Sequence, residues 1–156
     1  MRTLSLCSAL LVLAACSKPD AKVATDTTTA APMGAGATAT PIALADIAGN
    51  WTMQTMSATS DTVLLTYGLS LTADGAGSTI TFPGRAPLPM RLTAAGDSVI
   101  GEVGPYESAL RKGVQVNTHT VFRLAGTELV GVGTAHYSVQ GPDSLLNLRM
   151  KGTRQP

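Results

Sequence analysis

The sequence predicts an all-β domain, an antiparallel up-and-down barrel of about eight strands, carried behind an N-terminal export segment and a tether. Three observations point there. From Trp51 onward apolar residues recur at every second position, the mark of strands with one buried face. Turn-forming residues (Asp74-Gly75, Gly96-Asp97, Gly126, Gly141-Pro142-Asp143) punctuate that pattern at short intervals. Finally, eight antiparallel strands with one apolar face remove their exposed edges by closing on themselves.

The chain has 156 residues, enough for one domain of about 110 residues once the N-terminal segments are set aside. Eleven Lys and Arg stand against ten Asp and Glu, and ten against ten without Arg2. So balanced and sparse a charge argues against nucleic acid as a partner, which requires basic residues gathered on one face.

Residues 1–15 have the three parts of an export signal: Arg2, an apolar run from Leu4 to Leu13, and small residues ahead of a cut. The run is too short for a membrane-spanning helix. Leu13-Ala14-Ala15-Cys16 resembles the lipobox of bacterial lipoproteins. The resemblance implies thioether attachment of diacylglycerol to Cys16, removal of residues 1–15 and acylation of the new amino terminus. It places the protein in the cell envelope, held to a membrane by N-terminal lipid. Ser17, where a retention Asp would stand in related lipoproteins, implies the outer membrane, facing periplasm or exterior. Cys7 would be lost with the signal, so the mature chain offers neither a disulfide nor a cysteine-based metal site.

Residues 16–45 follow as a linker of Ala, Thr, Gly and Pro with no apolar period, a composition that cannot offset the entropy of ordering. Flexible-chain scaling gives it a span on the order of 30 Å. The domain is expected over 46–156. Its clearest strand carries Val63, Leu65, Tyr67, Leu69 and Leu71 on one face. Ile80 and Phe82 alternate with Thr79 and Thr81, and Leu88, Met90 and Leu92 with Pro89, Arg91 and Thr93. Pro89 must then sit where no ladder donor is needed. Ser98 to Val103, a segment with Val114, Val116, Phe122 and Leu124, then Leu129 to Tyr137, then Leu146, Leu148 and Met150 complete the set. Tyr106 to Lys112, with Glu107 and Arg111 at i and i+4 and Gly113 behind them, is expected to form one short helical turn across a barrel mouth.

Gly49-Asn50-Trp51 resembles the Gly-x-Trp element that opens the calycin folds, among them the lipocalins, fatty-acid-binding proteins and avidins. The resemblance implies that Trp51 closes one barrel end and that an arginine of the last strand packs over it. Arg154 shares the alternation of Leu146, Leu148 and Met150 and is the candidate; Arg149 falls on the opposite face. An avidin-like biotin site would use several tryptophans, and this chain has one.

No constellation points to catalysis or to a cofactor. His119 and His136 fall among polar neighbours with no third ligand in view. Gly96-Asp97-Ser98 reads as a turn, not a hydrolase nucleophile, because the α/β scaffold such a serine needs is missing. Asp97, Glu102, Glu107 and Asp143 are scattered. Arg123, Arg149 and Lys151 face outward as a mild basic strip. Gly131, Gly133 and Ala135 share the parity of Leu129 and Tyr137, which leaves the interior there short of side-chain volume. The reading is therefore a non-enzymatic barrel whose cavity holds a small apolar ligand or lipid, with Trp51, Leu65, Tyr67, Phe82, Met90, Phe122, Gly131, Gly133 and Arg154 as binding residues. The alternative is a solid barrel that docks a protein partner in the envelope.

Overall fold

The structure is a computed structural model and describes residues 40–156. The export segment, Cys16 and most of the linker lie outside the described residues. A single helical turn, α1 (Leu44–Ile47), precedes nine strands: β1 (Gly49–Ser57), β2 (Val63–Leu71), β3 (Thr79–Thr81), β4 (Leu88–Pro89), β5 (Arg91–Ala95), β6 (Ser98–Glu107), β7 (Gln115–Ala125), β8 (Glu128–Tyr137) and β9 (Leu145–Arg154). Among the described residues no helix is long and apolar enough to cross a membrane.

All neighbours are antiparallel, in the order β4-β3-β2-β1-β9-β8-β7-β6-β5. Only Met90 separates β4 from β5, and its N–H donates to the Ser78 carbonyl at 2.8 Å. The 88–95 segment thus pairs with β3 through its first residues and with β6 through its last, which nearly closes the sheet into a barrel. Counted around the barrel, β4 and β5 act as one strand, so the nine segments make the eight expected. Pro89 stands opposite Thr79 in the shortest strand, where few ladder bonds are at stake.

Alternation places Trp51, Met53 and Thr55 of β1, Tyr67, Leu69 and Leu71 of β2, and Leu148 and Met150 of β9 inside. Val63 breaks this pattern. It lies beyond an irregularity in the β1–β2 register at Thr55/Met56 and is exposed. Ordered packing starts ahead of the barrel itself: Ile42 donates its N–H to the Gly96 carbonyl, and Ile42 and Leu44 rest against the core.

The expected helical turn over 106–112 is not there. Tyr106 and Glu107 belong to β6 and pair with Val116 and Gln115, so 108–114 is a hairpin loop. The buried Ser108 hydroxyl accepts from the N–H groups of Leu110 and Arg111, at 3.1 and 3.0 Å. It offers those donors a partner that a helix would not use. Glu107 and Arg111 do not meet. The Glu107 carboxylate takes the Gly113 N–H, while Arg111 donates to the Asp143 carbonyl and lies over the Tyr137 ring. The short helical turn occurs instead at η1 (Pro142–Ser144), a 3-10 turn that Gly141 enters at φ 89°.

Candidate functional site

The two barrel ends differ. One carries the start of β1, the end of β9 and the tight turns at 96–97 and 126–127, and it is solid. Trp51 is 1% exposed there and donates its indole N–H to the Ile47 carbonyl at 2.8 Å. Arg154 covers the indole, its guanidinium carbon 4.4 Å from the ring centroid, and donates to the carbonyls of Ala48 and Asp46. This geometry explains the glycine two residues before the tryptophan. Gly49 has φ 129°, and a Cβ on it would lie 2.8 Å from an Arg154 guanidinium nitrogen.

The inward glycines are filled by side chains of the neighbouring strands. A Cβ on Gly131 would stand 3.0 Å from the Phe122 ring, one on Gly101 2.8 Å from the same ring, and one on Gly133 2.7 Å from the Met150 methyl. Gly152 makes room for the Met53 sulfur. Space lost at small residues is thus recovered by large ones, as close packing requires.

The other end, formed by the β1–β2, β3–β4, β6–β7 and β8–β9 loops, is not filled. A cavity of about 50 Å³ lies beneath it. Its walls are aromatic and hydroxylic: Tyr67, Phe82, Tyr106 and Tyr137, with Thr55, Thr118, Thr120 and Ser108. All three tyrosines of the chain line it, and no charged side chain does. Phe82 packs between two of them, 5.6 Å from the Tyr67 centroid and stacked 5.4 Å from that of Tyr106. Burial pushes the Tyr67 hydroxyl up to about 12, against the opposing pull of its hydrogen bond to Thr55. Tyr106 is raised for the same reason, with Thr118 in the opposing role. These phenols stay neutral, so the cavity presents hydroxyl dipoles on an apolar wall.

The loop 108–114 forms a strap over the opening, and its Ala109 and Leu110 contribute to the lining. Arg85, from the β3–β4 loop, holds the strap by donating to the carbonyls of Glu107 and Ser108. Arg111 holds it from the other side through the Asp143 carbonyl, at 2.7 Å, and the Tyr137 ring, at 4.1 Å.

Of the nine residues the sequence suggested for ligand binding, Leu65, Tyr67, Phe82 and Gly133 line this cavity. Trp51, Met90, Phe122, Gly131 and Arg154 do not. Four of them pack in the solid part of the barrel, and Arg154 closes its end. Tyr106, Tyr137, Ser108 and the threonines Thr55, Thr118, Thr120 and Thr134 escaped the sequence reading. Tyr106 was hidden by the expected helical turn; the inward parity of Tyr137 was visible beside Gly131 and Gly133.

Elsewhere the polar candidates lie on the outer surface, and Glu102 stands opposite His119 in the β6–β7 ladder. His119 and His136 are exposed on the outer wall, along a groove that also takes in Arg91 and Glu102. Among the described residues no group of three or more His, Cys, Asp or Glu side chains could hold a metal ion. Ser98 donates its hydroxyl to Asp97 and accepts from Arg123, which makes the 96–98 turn a closed polar unit. The Ser98 hydroxyl, more than the Arg123 guanidinium, holds the Asp97 carboxyl below its usual range. Arg149 is tied to Asp61 and Lys151 to Glu128, so the outward basic strip is largely neutralised.

The fold and site define a small up-and-down β-barrel with one packed end and one shallow, tyrosine-lined mouth. Comparison with protein-family models, with curated proteins and with solved structures gives no match.

Proposed function

We propose that the protein is a non-enzymatic, membrane-tethered barrel that binds a small apolar molecule at its mouth. The observation that carries this reading is the uncharged cavity bounded by Tyr67, Phe82, Tyr106 and Tyr137. A volume of about 50 Å³ is well below the several hundred Å³ of sites that swallow a drug-sized ligand. It suits a few-atom apolar group, such as a small ring or the end of a chain, with a neutral hydroxyl or carbonyl to meet the phenols. A whole lipid tail requires the strap to shift. The tether belongs to the same reading and rests on the lipobox resemblance at Cys16.

Small probes test the pocket directly. Xenon and p-cresol should shift the NMR signals of Thr118, Ala135 and Tyr137 while leaving Val99 and Leu129 in place. A Leu110→Trp substitution, which enlarges the strap side chain, should weaken p-cresol binding at least tenfold. Equal shifts at both barrel ends, or none at the mouth, would reject the pocket.

A second reading, an envelope module that docks a protein, is favoured by one feature. Val121 and Val132 line a groove on the outer wall, and Val132 is 59% exposed. Crosslinking in cells from position 132 should then capture one dominant protein.

A further inference from the structure

Six large apolar side chains are exposed among the described residues, and their distribution is uneven. Val132 sits on the wall, whereas Val63, Leu64, Leu110, Val139 and Leu145 all belong to the mouth end. Single exposed apolar residues need no explanation, but a cluster around one opening does. The segments that carry them are in contact. Ala58 of the β1–β2 loop donates to the Asn147 carbonyl in β9, Arg111 of the strap reaches Asp143 beside β9, and Ser138 donates to Gln115 at the foot of the strap. The segments that carry the apolar residues therefore meet around one end of the barrel, and we refer to them together as its rim.

The same end holds cations with no carboxylate partner. The three ion pairs among the described residues occupy Arg123, Arg149 and Lys151. Arg85 is bonded only to carbonyls, Arg111 to a carbonyl and a ring, and Lys112 is exposed beside them. Asp61 is spent on Arg149, and the Glu107 carboxylate takes the Gly113 N–H. With Asp143 counted, three cations face two carboxylates. Leucine and valine at a rim, with a small excess of positive charge among them, is the composition that binds at the boundary between headgroups and acyl chains.

We propose that the mouth end docks on an anionic lipid surface, its rim leucines entering the boundary layer and Arg111 and Lys112 lying at the level of the phosphates. This goes beyond ligand binding in the cavity, and it needs neither an occupied pocket nor an acylated Cys16. Because the charge excess is small, insertion of the rim supplies most of the attraction and charge sets the preference among lipids.

Tryptophan placed at the rim reports on this, because Trp51 is buried and serves as an internal reference. Full-length Leu145→Trp and Val132→Trp variants are mixed with vesicles of phosphatidylcholine alone or with one part in three of phosphatidylglycerol, each containing brominated lipid. Leu145→Trp should shift to the blue and be quenched on the mixed vesicles, while Val132→Trp and the parent stay unquenched. Lys112→Gln should weaken binding to the mixed vesicles about fivefold, at unchanged melting temperature, the loss expected for one surface cation. All the proteins carry Cys16→Ser, so lipid at that residue neither masks the Lys112→Gln loss nor imitates quenching confined to the rim. Quenching of Val132→Trp equal to that of Leu145→Trp, or no quenching at either, would overturn the proposal.

Discussion

Arg154 joins the last strand to the α1–β1 corner, which lies at the other end of the domain's sequence. Its guanidinium stacks on Trp51 and takes the carbonyls at the end of α1, so the last strand locks the first turn. Arg154→Ala should cost about 2 kcal/mol, from a cation–π contact of roughly 0.5–1 kcal/mol and the charged hydrogen bonds. Urea unfolding followed by Trp51 fluorescence measures this. Arg154→Lys should recover little, because one ammonium cannot stack and bridge both carbonyls. Gly133 acts through space it leaves empty. A Cβ there would meet Met150, Thr120 and the His119 carbonyl, all within 2.9 Å. Gly133→Ala should destabilise by about 1–3 kcal/mol as an overpacked site, readable as a lower urea midpoint at unchanged slope.

Tyr67 ties pH to stability. Its hydroxyl titrates near 10 in the unfolded chain and at about 12 in the fold, so the native state holds its proton longer. Below pH 10 both states are protonated and stability is complete. Between 10 and 12 the unfolded state loses the proton first, and stability falls as pH rises, by on the order of 3 kcal/mol when the window has been crossed. Melting temperature against pH should show this alkaline limb, and Tyr67→Phe should reduce it. The remainder belongs to Tyr106, raised in the same direction.

At the scale of an element, the strap shows why local spacing misled. Glu107 and Arg111 four residues apart fit one face of a helix, but the β6–β7 ladder extends to Glu107 and Gln115 and takes those residues as strand. With its first residues taken by the ladder, the turn that the spacing suggested has lost its start, and 108–114 is left as a loop. Ser108 then organises the loop with its hydroxyl. Ser108→Ala should cost about 1–2 kcal/mol by leaving the Leu110 and Arg111 N–H groups without that acceptor. Hydrogen exchange should speed up at Leu110, Arg111 and Gly113 and stay unchanged at Val121 and Val132. Uniform acceleration along β7 and β8 would mean that the strap is part of the global fold.

At the scale of the whole molecule, the barrel separates a rigid end from an accessible one. The end where the chain enters and leaves is sealed by Ile47, Trp51 and Arg154, while the cavity and the apolar rim lie at the opposite end. Under the proposed function, binding at the mouth would not draw on the residues that seal the opposite end. Cys16→Ser should abolish palmitate incorporation in cells and leave the melting temperature of the purified protein unchanged. Retained palmitate labelling in that variant would refute the lipobox reading.

The sequence by itself determined most of the strands and which of their residues face inward, with Val63 and the end of β6 as exceptions. In a strand that direction is local, since the chain turns each successive side chain to the other face. The alternation of Tyr67, Leu69 and Leu71 and the parity of the glycines on β8 were legible for this reason, whereas the pairing of Arg154 with Trp51 was expected from the calycin resemblance. Only the tertiary structure decided which inward residues are packed and which bound a cavity. Gly131 and Gly133 look alike in sequence, and both are filled, one by Phe122 and the other by Met150, because those side chains arrive from neighbouring strands. Three tyrosines from β2, β6 and β8 meet at one mouth because the barrel closes. Volume in a core is a property of facing surfaces, and no single strand carries it.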